Sequence, residues 1–195
     1  VRPLCAQHLP ETHPEREGRL KREDMYDFSG RNRKPQFALA KKLGIDEWSQ
    51  PAGGCCFLTD ASYSKKLQDL WDARGERRYE VDDIMLLKVG RHIRPAKNFK
   101  LIVSREEGEN NFMRGYRSQF TYLYPTSHGG PLTLIDGTPT EEDLELAARI
   151  VARFSQGRNE DKVTLEVVRE HNQPAQVVHV TPMPADDIPE EWYIH

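Results

Sequence analysis

Thr140-Glu141-Glu142-Asp143-Leu144-Glu145-Leu146-Ala147-Ala148-Arg149-Ile150-Val151-Ala152-Arg153-Phe154-Ser155 is followed, after a polar break, by Val163-Thr164-Leu165-Glu166-Val167. The two strings carry different periods. In the first, Leu144, Ala147, Ala148, Val151 and then Phe154 or Ser155 recur at three-to-four spacing, which gives a helix one apolar face. Thr140 and Asp143 stand three apart at its start and approximate a capping box, in which each side chain satisfies the other's free backbone N–H. In the second, Val163, Leu165 and Val167 alternate with polar residues, the pattern of a strand buried on one face. A helix over 141–155 running into such a strand predicts an α+β class.

The same reading extends outward. Phe99, Leu101 and Val103 alternate as a strand, Glu106 to Arg114 reads as a helix, and 118–124 and 131–135 are strand candidates around Pro125-Thr126-Ser127-His128-Gly129-Gly130. A last strand is expected at 177–180. Toward the amino terminus helices dominate. Pro35 suits a first helical turn, Phe37, Ala40 and Leu43 keep the helical period, and Gly44 suits a left-handed cap. A helix from Ser62 to about Arg74 places Tyr63, Leu67, Leu70 and Trp71 on one face, and Asp82 is the expected cap of a short helix with Ile84 and Leu87. The expected organisation is a mostly helical half over 1–95, a small α/β-sandwich-like domain over 96–181, and a peripheral acidic, proline-rich tail over 182–195.

Composition narrows the class. Of 195 residues, 37% are hydrophobic and 30% charged, too apolar for a disordered chain. No stretch approaches the roughly 18 apolar residues of a membrane-spanning helix, and no signal segment opens the chain. Three cysteines, an odd number, point to a reducing cytoplasm and exclude a four-cysteine zinc site within the chain. The net charge of −3 conceals a segregation: residues 1–135 carry 23 basic and 18 acidic side chains, and 136–195 carry 5 and 13.

The basic groups are not scattered. Over the 22 residues Ile84–Arg105 there are Lys88, Arg91, His92, Arg94, Lys97, Lys100 and Arg105 and no acid. Phosphate contacts need cations without carboxylates that would pair with them, so this run is a candidate nucleic-acid surface; a solvated strand edge is the alternative. A second run, Arg31, Arg33 and Lys34, opens the helix that contains Lys41 and Lys42, where free N–H groups favour anions. Ser127 and His128 in the glycine turn suit an anion-binding loop. Pro51-Ala52-Gly53-Gly54-Cys55-Cys56 frees the backbone around Cys55, a candidate reactive thiol; a structural turn with buried cysteines is the alternative. No phosphate loop, dinucleotide fingerprint, His-Glu-x-x-His helix or nucleophile elbow is present.

Two resemblances follow from quoted strings. Arg2-Pro3-Leu4-Cys5-Ala6, Pro14-Glu15-Arg16-Glu17-Gly18, Gly30-Arg31-Asn32-Arg33-Lys34-Pro35-Gln36, Pro51-Ala52-Gly53-Gly54-Cys55 and Val81-Asp82-Asp83-Ile84 through His92 resemble the segment after the ATPase domain of PP-loop tRNA thiouridylases. Residues 97–170 resemble the NFACT RNA-binding domain, through Ser104-Arg105, Glu109-Asn110, Pro125-Thr126-Ser127-His128, Ala147-Ala148 and Phe154-Ser155. Ser104 and Thr126 replace glycines of that pattern, and Gln156 stands where it has a cation. The resemblance implies tRNA as partner, an upstream PP-loop domain using ATP and Mg, and a sulfur-donor protein. Cys55 would be a sulfur carrier or an iron–sulfur ligand in a tRNA-thiolating enzyme. This chain is expected to hold no cofactor and no ATP-binding domain of its own. The alternative is a noncatalytic RNA-binding or ribosome-associated module.

Overall fold

A computed structural model of the chain describes residues 1–30, 32–47, 57, 60–170 and 173–195. The chain divides into two compact units, Val1–Ala52 and Gly53–His195. Among its described residues the first unit has two α-helices, α1 (His13–Arg16) and α2 (Lys34–Lys42), and a small interior in which Ala6 and Met25 are buried. Its amino-terminal turn is tied by the Tyr26 N–H to the Pro3 carbonyl and the Phe28 N–H to the Leu4 carbonyl, each 2.8 Å. Pro35 sits in the first turn of α2 and Gly44 takes a φ of +69° beyond its end, as the sequence predicts.

The second unit opens with α3 (Ala61–Arg74), whose first turn is capped by Asp60 accepting the Tyr63 N–H at 2.8 Å. The next helix, α4 (Val81–Leu86), is capped by Glu80 and Asp83 rather than by Asp82. Asp83 also accepts two hydrogen bonds from Arg74, which fastens the end of α3 to the start of α4. Tyr63, Leu67, Leu70 and Leu87 bury one another between these helices.

Six strands follow: β1 (Arg91–Ala96), β2 (Phe99–Val103), β3 (Thr121–Pro125), β4 (Thr133–Gly137), β5 (Val163–Val168) and β6 (Gln176–Val180). They form one antiparallel sheet in the order β1-β2-β4-β3-β5-β6. Helix α5 (Glu107–Arg114) lies between β2 and β3 in sequence, and α6 (Glu141–Arg153) between β4 and β5. The capping box of Thr140 and Asp143 is present at the start of α6.

Alternation along the strands sorts the sheet into two faces. Phe99, Leu101, Val103, Leu123, Ile135, Val163, Leu165 and Val167 pack against Leu144, Ala147, Ala148 and Val151 of α6. Ile102, Leu134 and Tyr122 face the other way, toward Leu86 of α4 and Met113 of α5. The fold is α+β, as the paired periods of the sequence predict.

Two features were not expected from the sequence. β1 is a strand despite Pro95, because it lies at the sheet edge and its register shifts between Ile93 and Ala96. The segment from Pro182, expected at the periphery, is bound into the second unit. Met183 and Ile188 are buried in the α6-side core, the Met183 N–H donates to the Arg149 carbonyl at 3.0 Å, and Tyr193 bridges Ile93. The Ile194 N–H donates to the His92 carbonyl at 3.0 Å, so the tail covers the free edge of β1. Among the described residues no helix is long and apolar enough to cross a membrane.

Candidate nucleic-acid interface

Because all neighbours in the sheet are antiparallel, the start of β1, the ends of β2 and β3 and the starts of β4 and β5 meet at one end of it. The last turn of α6 and the carboxy-terminal tail reach the same end. There they enclose a cleft of about 780 Å³ that Arg91, Arg105, Arg153 and Arg158 line together with Phe154 and Tyr193. A second cleft of about 490 Å³ adjoins it and is lined by Arg114, Arg117, Tyr124 and His128. Asn110, Gly129 and Gly130 line both, so the two form one groove with these residues at its waist.

The arginines differ in how far carboxylates neutralise them. Arg105 is paired with Glu109. Arg91, Arg153 and Arg158 form no ion pair among the described residues; Arg91 instead lies over the Phe154 ring, 5.1 Å from its centroid. Arg117 lies over the Tyr122 ring at 5.6 Å. Burial raises the Tyr193 phenol above its ordinary pKa despite the nearby charges of Arg91 and Arg153. The Tyr124 phenol is pushed up to about 12, first by its hydrogen bond to the Glu166 carboxylate and then by burial. Both phenols are therefore neutral donors near physiological pH. Glu106 and Glu107 are the acidic residues on the wall of the larger cleft.

The waist is built to hold its shape. The Glu109 carboxylate, 8% exposed, accepts the Gly90 N–H at 3.0 Å, the Arg105 N–H at 2.7 Å and the Arg105 guanidinium. Burial raises this carboxyl, but the Arg105 hydrogen bond and the two backbone donors outweigh it and hold it below the usual range. Asn110 Oδ1 accepts the Ser104 hydroxyl at 2.5 Å and the Leu132 N–H at 2.7 Å. One turn of α5 thus ties the start of β1, the end of β2 and the start of β4 together. Opposite, the Gln156 N–H donates to the Gly129 carbonyl at 2.8 Å. A Cβ on Gly130 would stand 2.6 Å from Pro125 Cγ and 2.9 Å from Ser155 Cβ, an approach only glycine permits.

Residues 90–193 match the family described as NFACT protein RNA binding domain. The chain belongs to this family. Among solved structures, the C-terminal part of the fibronectin/fibrinogen-binding protein from Streptococcus suis is similar, with 14% sequence identity and a TM-score of 0.47; the alignment covers 82% of this chain and 72% of that one. No curated protein matches the chain.

The residues read from the sequence fall in different places relative to this NFACT domain. Arg91, Arg105 and His128 line the groove. Ser127 stands behind it: its hydroxyl accepts the Thr164 N–H at 3.0 Å and lies 2.9 Å from His128 Nδ1, locking the turn onto β5. Arg94 and Lys100 lie on the sheet face that α3 and α4 cover. Lys100 is 1% exposed, with Nζ 3.3 Å from Asp69 and 3.4 Å from Asp136. Arg94 forms a two-pronged pair with Asp69, its Nη2 at 2.8 Å. Burial raises the Asp69 carboxyl, yet the Arg94 hydrogen bonds and the charges of Lys100 and Arg94 hold it below its ordinary value.

His92 is 2% exposed in the same layer, and its Nε2–H donates to the carbonyls of Val89 at 3.1 Å and Leu86 at 3.2 Å. Burial, reinforced by Lys100 and Lys66, drives its pKa well below the usual 6.5, so the ring is neutral. The stretch 84–105 holds no acid in sequence, but Asp69 and Asp136 from elsewhere in the fold pair with Arg94 and Lys100, and Glu109, just past its end, pairs with Arg105.

Lys97 is exposed at the far end of β1, and Lys88 lies over Phe57 with Nζ 4.5 Å from the ring centroid. Arg33 and Lys34 are exposed at the start of α2 in the first unit, while Arg31 and Cys55 lie outside the described residues. Among the described residues no group of His, Cys, Asp and Glu is placed to hold a metal ion. The reading of the sequence missed Arg114, Arg117, Arg153 and Arg158. Their signal was positional: each pair closes or follows a predicted helix beside the glycine turn, and Arg153 and Arg158 lie in the acidic half of the chain.

Proposed function

We propose that the groove binds the RNA of this NFACT domain by its backbone, with Arg91, Arg153 and Arg158 as the principal phosphate contacts and Arg105, Arg114 and Arg117 beside them. One observation carries this reading: three arginines that have no carboxylate partner among the described residues converge on a concave site whose walls also carry aromatic rings. Phosphates release counterions when such cations replace them, and rings or guanidinium planes accept unpaired bases. We further propose tRNA as the RNA and a tRNA-thiolating enzyme as the setting, supported by the thiouridylase-like strings of residues 1–95. Cys55 remains the proposed sulfur carrier, on the thiouridylase-like string Pro51-Ala52-Gly53-Gly54-Cys55.

The decisive experiment is a titration of the chain with tRNA at several salt concentrations, comparing it with an Arg91→Ala, Arg153→Ala, Arg158→Ala variant. Three lost phosphate contacts should lower the salt slope by about 2 to 3 and weaken binding at least about tenfold. Unchanged affinity and slope in a folded variant would remove the groove as the RNA site. For the thiolation setting, full activity of a Cys55→Ser enzyme carrying the upstream domain would remove the sulfur-carrier role.

A further inference from the structure

Asn110 occupies the waist of the groove, and its hydrogen bonds leave one half of it unused. Its Oδ1 accepts two donors, the Ser104 hydroxyl and the Leu132 N–H. The Leu132 donor is backbone and cannot reverse. Turning the amide over would set its NH2 against that N–H, donor against donor, so the orientation is fixed. The Nδ2 amino group has no partner among the described residues, and Asn110 lines both clefts. A donor of fixed orientation, unspent among the described residues, thus stands where the arginine-lined cleft meets the Tyr124-lined one.

The two clefts differ in the way a nucleotide does. The larger has four arginines, Arg91, Arg105, Arg153 and Arg158, against two in the smaller. The smaller is walled by Tyr124, Pro125 and Leu132, with Arg117 and His128 at its side. We propose that the groove takes an unpaired RNA nucleotide, its phosphate on the arginines and its base in the Tyr124 cleft, and that Asn110 Nδ2 donates to an acceptor on the base edge. This rests on the reading of the groove as the RNA site. A base stacked inside a duplex cannot enter such a cleft, whereas a splayed base presents its edge and its face together. A donor at a fixed angle discriminates among bases, because one that offers no acceptor there leaves the amide desolvated and unpaired.

The test uses the whole chain and single-stranded RNA oligonucleotides of U, C, A or G. Asn110→Asp keeps the acceptor for Ser104 and Leu132 and replaces the donor by an acceptor. Gln156→Glu adds the same charge on the opposite wall of the larger cleft and leaves Asn110 intact. The wild type should rank the four oligonucleotides differently. Asn110→Asp should lose that ranking and bind about tenfold more weakly than Gln156→Glu at equal salt. Equal weakening of the two variants, with the ranking kept, would overturn the proposal while leaving the arginine groove standing. Should Asn110→Asp fail to fold, the side-chain NH2 resonances of Asn110 in the ¹⁵N-labelled wild type decide: they should shift on saturation with the preferred oligonucleotide, and unshifted resonances would refute the contact. Loss of all binding in the triple arginine variant, with wild-type resonances unmoved, would separate failure of this inference from failure of the groove.

Discussion

Strand β1 carries two arginines with opposite fates. Arg94 lies beneath α3, doubly hydrogen-bonded to Asp69, in a layer that also holds Lys100, His92 and Lys66. Arg91, three residues earlier, stands at the end of the sheet over Phe154, and no carboxylate among the described residues reaches it. Both belong to the same acid-free stretch of sequence. The difference teaches that a cation is available to a phosphate only where the fold brings no acid to it. The covered layer holds the helices to the sheet, whereas at the end of the sheet Arg91, Arg153 and Arg158 have no carboxylate partner among the described residues. Lys66 illustrates the cost of the first arrangement. Burial lowers its pKa, and among the described residues its Nζ reaches only the carbonyls of Gly90 at 3.4 Å and Leu87 at 3.5 Å.

The comparison breaks most sharply at Asp69. Asp69→Ala would strand Arg94 and Lys100 inside without their shared partner, and removing one side of such a buried network costs about 3–5 kcal/mol. Urea unfolding should show this loss, while the folded fraction keeps its RNA affinity. An unaltered midpoint would mean that the covered layer is as loosely held as the groove.

At the groove, Gly130→Ala forces a Cβ against Pro125 and Ser155, and overpacking of that kind costs about 1–3 kcal/mol. RNA affinity should fall with stability here, because the turn is the waist of the groove. A normal thermal midpoint would show that the turn can shift. Arg153→Ala with Arg158→Ala should do the reverse of Asp69→Ala. Stability should stay within about 0.5 kcal/mol, and the salt slope of RNA binding should drop by about 1.4 to 1.8.

Acid should separate the covered layer into stages. His92 is neutral when folded and titrates near 6.5 when unfolded, so below that pH the unfolded chain binds a proton that the folded one refuses. Stability should begin to fall as pH drops through this value. Glu109 and Asp69, both held below their ordinary 4.5 and 3.8, contribute stability that is complete above those values and is lost as pH falls through their folded pKa values. Urea midpoints followed across the acid range should show a shallow limb and then a steep one, and replacing His92 by Gln should remove the dependence belonging to the first. The smallest effect is expected for Lys97→Ala. Lys97 is exposed about 20 Å along the strand direction from Arg91, so neither stability nor salt slope should change measurably. A slope change as large as that of Arg153→Ala would place the RNA surface along β1 rather than at its end.

Local patterns in the sequence determined much of the architecture. The alternation of Phe99, Leu101 and Val103, the period of α6, the Thr140 and Asp143 capping box and the Gly44 cap each depend on neighbours a few residues away, and short-range geometry suffices to read them. β1 was harder, since Pro95 argues against a strand unless the strand is known to lie at an edge. The tail was harder still: its prolines and acids look peripheral until Met183 and Ile188 find α6. For the site, the sequence by itself brought forward Arg91, Arg105, His128 and the Glu109-Asn110 pair, through their charge and their place in a recognisable order. Which cations remain free was decided by tertiary structure alone. Asp69 and Asp136 meet Arg94 and Lys100 across the fold and Glu109 meets Arg105 within one helical turn, while Arg153 and Arg158 come from an acidic half of the chain to a cleft where, among the described residues, no carboxylate pairs with them. Electrostatic pairing acts over a few ångströms of space, and distance along a chain does not measure it.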